Sequence, residues 1–367
     1  MKKLRVLIVD DSVLYRTQIR NALADLPWIE ISGVASNGRL ALERIQQVNI
    51  DLVILDLEMP EMSGIEMLRE MKLRNLKRTV LVFSSVSKKG AETTLEALEL
   101  GAVDFIPKPG AEGGLSAMQE SDPAGRIRGV LLPKIKALFP EFAKEDGQRP
   151  IEPFSGKYEK VSLDRFHPKV IVIGSSTGGP TVLESIFSRI SGPLNCPILL
   201  TQHMPPIFTA TLAERIQKIS GIPTLEAKHG QVIEKGMIYV APGNFHMRIE
   251  NQDGILKIAL DQGPLENSVR PAVDPLFHSA ARIFGRGCLG LVLTGMGADG
   301  KIGSERIKEM GGAVVIQSEE TCVVFGMPGA VKSVGAYDQI MSPDQIVEML
   351  KEKTVQMNQI RPGRVCA

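Results

Sequence analysis

Short, nearly continuous apolar runs alternate along most of the chain with segments whose apolar residues recur at helical spacing. In the first third the runs LRVLIVD (4–10), DLVILD (51–56) and TVLVFSS (79–85) are rich in β-branched residues, and AVDFIPK (102–108) is a weaker fourth. Runs of this kind suit parallel strands buried on both faces. Between them, SVLYRTQIRNALAD and GIEMLREMKLR place apolar residues on one helical face. The alternation predicts a βα repeat and an open, doubly wound sheet.

Beyond Pro109 the segment GAEGGLSAMQESDPAG reads as a loop, and RIRGVLLPKIKALF (126–139) as a helix interrupted or kinked at Pro133. Residues 140–168 are charged, Pro-containing and aperiodic, which predicts a linker. A second α/β pattern starts at Lys169. Its expected strands are KVIVIG, PILLTQH, GMIYVAP, GILKIAL, GCLGLVLTG and GAVVIQ. Its expected helices are TVLESIFSRI, TATLAERIQKI, VDPLFHSAARIFG, GSERIKEMG and the closing PDQIVEMLKEKTVQM. The expected organisation is α/β, with two doubly wound parallel-sheet domains at 1–139 and 169–355, a linker at 140–168 and a polar tail at 356–367.

Composition narrows the possibilities. With 43% hydrophobic and 23% charged residues, the 367-residue chain is ordinary for a protein with buried cores. The net charge of +1 supplies no field that favours nucleic acid. The four cysteines, Cys196, Cys288, Cys322 and Cys366, form no CxxC pair, so neither a zinc site nor a disulfide framework is expected. A reduced, cytoplasmic setting fits that usage. The opening MKKLRVLIVDDS is closed by Asp10 and Asp11 before it reaches signal-peptide length. No stretch approaches the roughly 20 apolar residues that span a bilayer, so no direct membrane insertion is expected.

In an open parallel sheet, ligands bind outside the carboxyl ends of the strands. Asp10 and Asp11 end the first run, Asp56 the second, Ser84 and Ser85 the third, and Lys108 follows the fourth. Any one acid alone is an ordinary cap or loop residue. Three clustered carboxylates repel one another and call for a cation, and hard oxygen ligands suit Mg²⁺. A nearby lysine would neutralise an incoming anion, and Asp can accept a phosphoryl group by nucleophilic attack.

VLIVDDS, DLVILDLEMPEMSG, VFSS and DFIPKP together resemble the receiver domain of bacterial response regulators, a flavodoxin-like fold. The resemblance implies that Asp56 is the phosphoacceptor. It implies that Asp10, Asp11 and Asp56 hold Mg²⁺ with a main-chain carbonyl at Glu58. Lys108 would contact the phosphoryl group, Ser84 would be the switch hydroxyl, and Phe105 the mobile aromatic. Pro109 falls at the family's cis-peptide position. Ser63 departs from the Asp that many receivers carry before the glycine.

The other informative stretch is VIVIGSSTGGP (170–180). It lacks the lysine of a P-loop, and Ser176 replaces the second glycine of a dinucleotide fingerprint. Binding of a phosphate at the helix N-terminus remains an alternative. Gly174-Ser175-Ser176-Thr177-Gly178 does match G-x-S-x-G, a strand-to-helix turn that lifts its central serine above the sheet. Such a nucleophile needs a base and an orienting acid. Of five histidines, His203 follows a strand directly and is the first choice; His246 is the second. His167 lies in the linker, His229 in a polar loop, and His278 at a packing position of a helix. For the acid, Asp299 sits in the glycine-rich GLVLTGMGADG, with Asp261 and Asp274 as rivals and Asp274 more like a helix start. The resulting order, Ser–His–Asp, differs from the Ser–Asp/Glu–His order of α/β-hydrolases.

IGSSTGGP, TQHMPPIFT, YVAPGNFHM, RPAVDPLFHSAA, LTGMGADG and CVVFGMP are similar to the catalytic domain of protein-glutamate methylesterases, the CheB family of chemotaxis, which is Rossmann-like. The resemblance implies Ser176 as nucleophile, His203 as base and Asp299 as orienting acid, with Thr177 and Met296 beside the oxyanion. It implies hydrolysis of glutamyl methyl esters on methyl-accepting chemoreceptors, deamidation of receptor glutamines, and a chemotaxis histidine kinase as phosphodonor. Mg²⁺ would serve the receiver; the esterase step would need no cofactor. Two other readings stand beside it. One is a receiver with a binding-only output, disfavoured by the absence of a recognisable helix-turn-helix. The other is a hydrolase of different acyl substrates.

Overall fold

The computed structural model describes residues 3–108, 122–142, 158–190, 192 and 194–354. Pro109, Cys366, most of the expected linker and the expected tail lie outside the described residues. The first α/β unit runs β1 Leu4–Val9, α1 Val13–Leu23, β2 Ile29–Ala35, α2 Gly38–Gln47, β3 Leu52–Leu55, α3 Gly64–Leu73, β4 Thr79–Ser84, α4 Lys88–Glu99, β5 Asp104–Pro107 and α5 Pro123–Leu138. Its strands are all parallel in the order β2-β1-β3-β4-β5, the flavodoxin-like arrangement.

Local chemistry starts these helices where the chain needs them. Ser12, Asn37 and Ser87 cap α1, α2 and α4 through side-chain oxygens. Ser63 caps α3 in a reciprocal box: its hydroxyl accepts from Glu66 N at 3.2 Å, while Glu66 Oε2 accepts from Ser63 N at 2.7 Å. The serine that departs from the receiver pattern therefore does the work a capping Asp would do. α5 continues through Pro133 rather than breaking there, with Ile127, Leu131 and Ile135 buried along one face.

The second unit runs β6 Val170–Ser175, α6 Gly179–Phe187, β7 Ile198–Gln202, α7 Phe208–Ser220, β8 Thr224–Glu226, β9 Ile238–Val240, β10 His246–Gln252 and β11 Ile255–Asp261. It continues with α8 Val273–Phe284, β12 Cys288–Val292, α9 Lys301–Glu309, β13 Ala313–Gln317, α10 Met327–Ser333, β14 Gln339–Met341 and α11 Pro343–Thr354. Among the described residues, β14-β13-β12-β6-β7-β9-β8 form one parallel sheet. Its inward strands are fully buried apolar runs.

The pattern missed the short and edge elements. β2 is buried only at its two ends and half-buried or exposed between them instead of forming a continuous buried run, because it lies at the sheet edge. β8 and β14 are three residues each, too short to carry a period. GILKIAL is a strand, but not of the main sheet: it pairs antiparallel with β10, whose HMRIENQ sequence gave no strand signal. α10 was also missed. One apolar cluster continues from the first unit into the second, and Phe105 of β5 stacks on Phe208 of α7 with centroids 4.5 Å apart.

Candidate active site and phosphoacceptor site

Strand order in the second sheet reverses at β6, which lies between β12 and β7. Such a switch point is where ligands bind in open α/β sheets. The β6–β7 register ends with Ser175 opposite Gln202, so the next residues on the two strands, Ser176 and His203, leave the sheet side by side. His203 N donates to Ser175 O at 3.1 Å, and on the other flank Ser176 N donates to Thr294 O at 3.0 Å. Two glycines make the turn possible. Gly178 has a φ of +77°, and a Cβ on Gly295 would lie 2.8 Å from Ser176 Cβ and 2.4 Å from Met327 Sδ. Ser176 is half-buried at this elbow, whereas Ser175 is fully buried beneath it.

The loop after β12 brings Asp299 to His203: Nε2 and Oδ2 are 2.7 Å apart. The Asp299 carboxylate is buried and also accepts from Val273 N at 2.6 Å, Asp274 N and Asn267 Nδ2 at 3.1 Å, and Gly300 N at 2.9 Å. Burial by itself would raise this carboxyl; the bonds from His203 and from the start of α8 outweigh it and hold the group below its ordinary value. Because Nε2 faces the acid, Nδ1 is the ring nitrogen left for proton transfer. Ser176 Oγ makes no hydrogen bond among the described residues. The main-chain N–H groups of Thr177 and Met296 are likewise without partners among them.

The rival residues fall elsewhere or take other roles. His246 is completely buried, with Nε2 on Pro264 O at 2.9 Å and Nδ1 accepting from Ala272 N at 3.3 Å. It secures the loop ahead of α8. His229 accepts from Leu260 N, His278 is exposed on α8, and Asp261 pairs with Arg248. Asp274 does open α8, yet it also sits beside Asp299. Burial and the neighbouring charge push it up to about 7. Asn267, an exposed residue with a φ of +52°, donates to both acids. The sequence carried no signal for Asn267. Nor did it carry one for Gln202, which stands directly before His203.

In the first sheet the order reverses between β1 and β3. Asp10 and Asp11 follow β1 and Asp56 follows β3, with carboxylate oxygens all within 4.8 Å of one another. Asp10 and Asp56 are buried and Asp11 is exposed. Lys108 Nζ lies 2.8 Å from Asp56 Oδ2 and 3.0 Å from Asp10 Oδ2. Burial pushes Asp56 up to about 6, against the pull of Lys108. Asp10 Oδ2 has no geometrically proper hydrogen bond. Hard, crowded, incompletely paired oxygens of this kind fit a divalent cation. Glu58 is exposed, and its N–H reaches Asp56 Oδ1 at 3.4 Å. Ser84 is buried and accepts from Thr94 Oγ1 of α4 at 2.7 Å.

The two sites meet through β5. Thr177 Oγ1, next to Ser176, donates to Asp104 Oδ2 of β5 at 2.6 Å, and Asp104 also pairs with Lys134 of α5. Phe105, the next residue, is buried against Phe208. Nearby, Arg215 of α7 pairs with Glu99 of α4 and with Glu184 of α6. Thr181 Oγ1 reaches Leu98 O at 3.5 Å.

The CheB methylesterase family matches residues 171–350, and the response regulator receiver domain family matches residues 6–120. The chain is 41% identical over 351 residues to the protein-glutamate methylesterase/protein-glutamine glutaminase of Trichodesmium erythraeum, covering 95% of this chain and 98% of that one. It is 38% identical over 376 residues to the protein of the same name from a Nocardioides species, covering 100% and 99%. Among solved structures, the Thermotoga maritima CheB methylesterase catalytic domain is 42% identical, with a TM-score of 0.49 and coverage of 50% of this chain and 98% of that chain.

Proposed function

The chain belongs to the CheB methylesterase family, hydrolases that carry a response-regulator receiver, and from that premise we propose that it demethylates glutamyl methyl esters of chemoreceptors, releasing methanol, under control of phosphorylation at Asp56. The same site would deamidate receptor glutamines, releasing ammonia. The observation that carries this reading is the 2.7 Å His203–Asp299 bond beside Ser176 at a switch point.

Asp299 accepts the Nε2–H of His203 and so holds the tautomer whose Nδ1 is free. Nδ1 takes the Ser176 proton as Oγ attacks the ester carbonyl. The N–H groups of Thr177 and Met296 face the oxyanion that develops. The tetrahedral intermediate collapses to an acyl-enzyme, and the methoxide leaves as methanol with the proton held by His203. Water, deprotonated by the same nitrogen, attacks the acyl carbon, and Ser176 departs with that proton. The glutamate carboxylate is the product.

Control follows from the β5 contact. With β5 on the elbow, Thr177 is tied to Asp104, and Phe105 packs the receiver onto α7. A phosphoryl group on Asp56 adds charge beside Lys108 and offers acceptors to Ser84, whose hydroxyl now meets Thr94 of α4. Since α4 also packs on α6 and α7, this local change biases the interface between closed and open forms. Asp10, Asp11 and Asp56, with the Glu58 carbonyl, would hold Mg²⁺, which neutralises charge during phosphorylation. A histidine kinase of the chemotaxis system would be the phosphodonor, in the cytoplasm. No described helix is long and apolar enough to cross a membrane.

The test is methanol release from methylated receptor, with and without a small phosphodonor and Mg²⁺. Wild type is expected to turn over and to be stimulated. Ser176→Ala, correctly folded, is expected to lose turnover on the order of 10⁴-fold or more. Substantial residual activity in that variant rejects the nucleophile assignment. Turnover of small esters but not of methylated receptor would favour a different acyl substrate.

A further inference from the structure

Ser175 lies directly before Ser176 at the end of β6. Its buried hydroxyl donates to Gln202 Oε1 at 2.7 Å, which sets the orientation of the Gln202 amide. The amide nitrogen then faces two main-chain carbonyls: Nε2 donates to Ser176 O at 3.0 Å and to His203 O at 3.4 Å. Gln202 is 2% exposed. A Cβ on Gly179 would lie 2.1 Å from its Oε1, so the glycine leaves the room this amide occupies. One buried side chain thus joins the residue of the nucleophile to the residue of the base.

The consequence lies in the peptide that follows Ser176. A trans peptide is planar, and its C=O and N–H point to opposite sides. The Ser176 carbonyl is held from two directions, by Gln202 Nε2 and by Gly179 N at 2.8 Å. Holding that carbonyl toward β7 turns the Thr177 N–H the other way. Thr177 N has no partner among the described residues, as befits a donor kept for an oxyanion. If the peptide rotated, its carbonyl oxygen would face the cleft in place of the N–H.

We propose that Gln202, anchored by Ser175, is a positioning residue that aims the Thr177 N–H at the developing oxyanion. The proposal rests on the reading of Ser176 as nucleophile. Gln202 touches neither substrate nor reacting atoms, so its removal acts on the transition state through the peptide it holds.

The experiment uses the full chain, activated by phosphodonor and Mg²⁺. Four quantities are measured: kcat and KM for methanol release, the rate of Ser176 labelling by a fluorophosphonate, and the affinity of a boronic acid that forms a tetrahedral anion on the serine. Gln202→Glu keeps the size and the oxygen that accepts from Ser175, but sets an oxygen against the two carbonyls. The expected result is a fall in kcat of roughly 10- to 100-fold, with KM unchanged and boronate affinity falling in parallel. Ser175→Ala, which only frees the amide to rotate, is expected to give the same pattern at about 3- to 10-fold. A simple loss of packing would raise KM and lower the thermal midpoint without selecting against the boronate. Unchanged kcat, or a loss confined to KM, overturns the proposal. Should Gln202→Glu fail to fold, Ser175→Ala decides alone: wild-type kcat in that variant overturns it. Turnover surviving in Ser176→Ala would instead reject the nucleophile reading, a separate failure.

Discussion

The two sites occupy the same place in their sheets, the carboxyl ends of the strands at a switch point, yet they are held in opposite electrostatic states. The first gathers three carboxylates and a single lysine within it, leaves Asp10 Oδ2 poorly paired and pushes Asp56 up to about 6. The second holds the Asp299 carboxylate, proposed to orient the base, among five donors and below its ordinary value. An under-neutralised pocket responds to an added cation or phosphoryl group. A carboxylate saturated with donors is instead held in one orientation. On the proposed function, the first site is built to be disturbed and the second to keep its orientation, and the Thr177–Asp104 bond links the two.

Perturbations can break this contrast. The largest effect is expected at the saturated site: Asp299→Asn keeps the shape but offers His203 an amide in place of a carboxylate, and kcat should fall about 10³- to 10⁴-fold. Loss of less than tenfold would mean that the network around Asp299 does not orient the base. Next, Asp56→Asn should abolish stimulation by phosphodonor and Mg²⁺ while leaving the basal methanol release in place. Persisting stimulation would move the phosphoacceptor elsewhere.

The contact between the sites is a smaller lever. Phe105→Ala removes an aromatic pair worth about 0.5–1.5 kcal/mol, so basal activity without phosphodonor should rise roughly 2- to 10-fold and the stimulation ratio should shrink. A basal rate no higher than wild type would argue that the receiver does not restrain the elbow. The smallest effect sharpens the comparison as a control. Ser63→Ala removes the N-cap of α3, remote from the esterase elbow, and should lower receiver stability by about 1 kcal/mol in urea unfolding, with methanol release unchanged at moderate temperature. A change in esterase kinetics there would show that receiver stability itself sets the rate.

Residues of both candidate sites were legible in the sequence for a common reason: parallel strands end in loops, and most of the candidate residues are the first of those loops. Asp10, Asp56, Ser176 and His203 each follow a buried apolar run, so the run announces the position. Asp299 lies further into its loop, and only the glycines around it gave a signal. Asn267 gave none, because its role depends on a left-handed backbone bringing an exposed loop over two buried acids. β2, β8 and β14 were missed because short or edge strands are decided by their neighbours rather than by their own period. GILKIAL was expected as a strand, but its partner β10 was not, because HMRIENQ is no apolar run, and an apolar run specifies burial rather than the sheet that buries it.

The sequence by itself determined the alternation that builds two parallel sheets, the acids and lysine of one site, and the serine and histidine of the other. These are local properties, carried by residue type and by distance from the end of a strand. Only the tertiary structure decided that Nε2 rather than Nδ1 of His203 faces Asp299, that Asp274 accompanies the acid, and that Ser175 anchors Gln202. It alone decided that Asp104 meets Thr177. Each of those is a contact between residues far apart in the chain, set by register, strand order and the packing of one unit on the other.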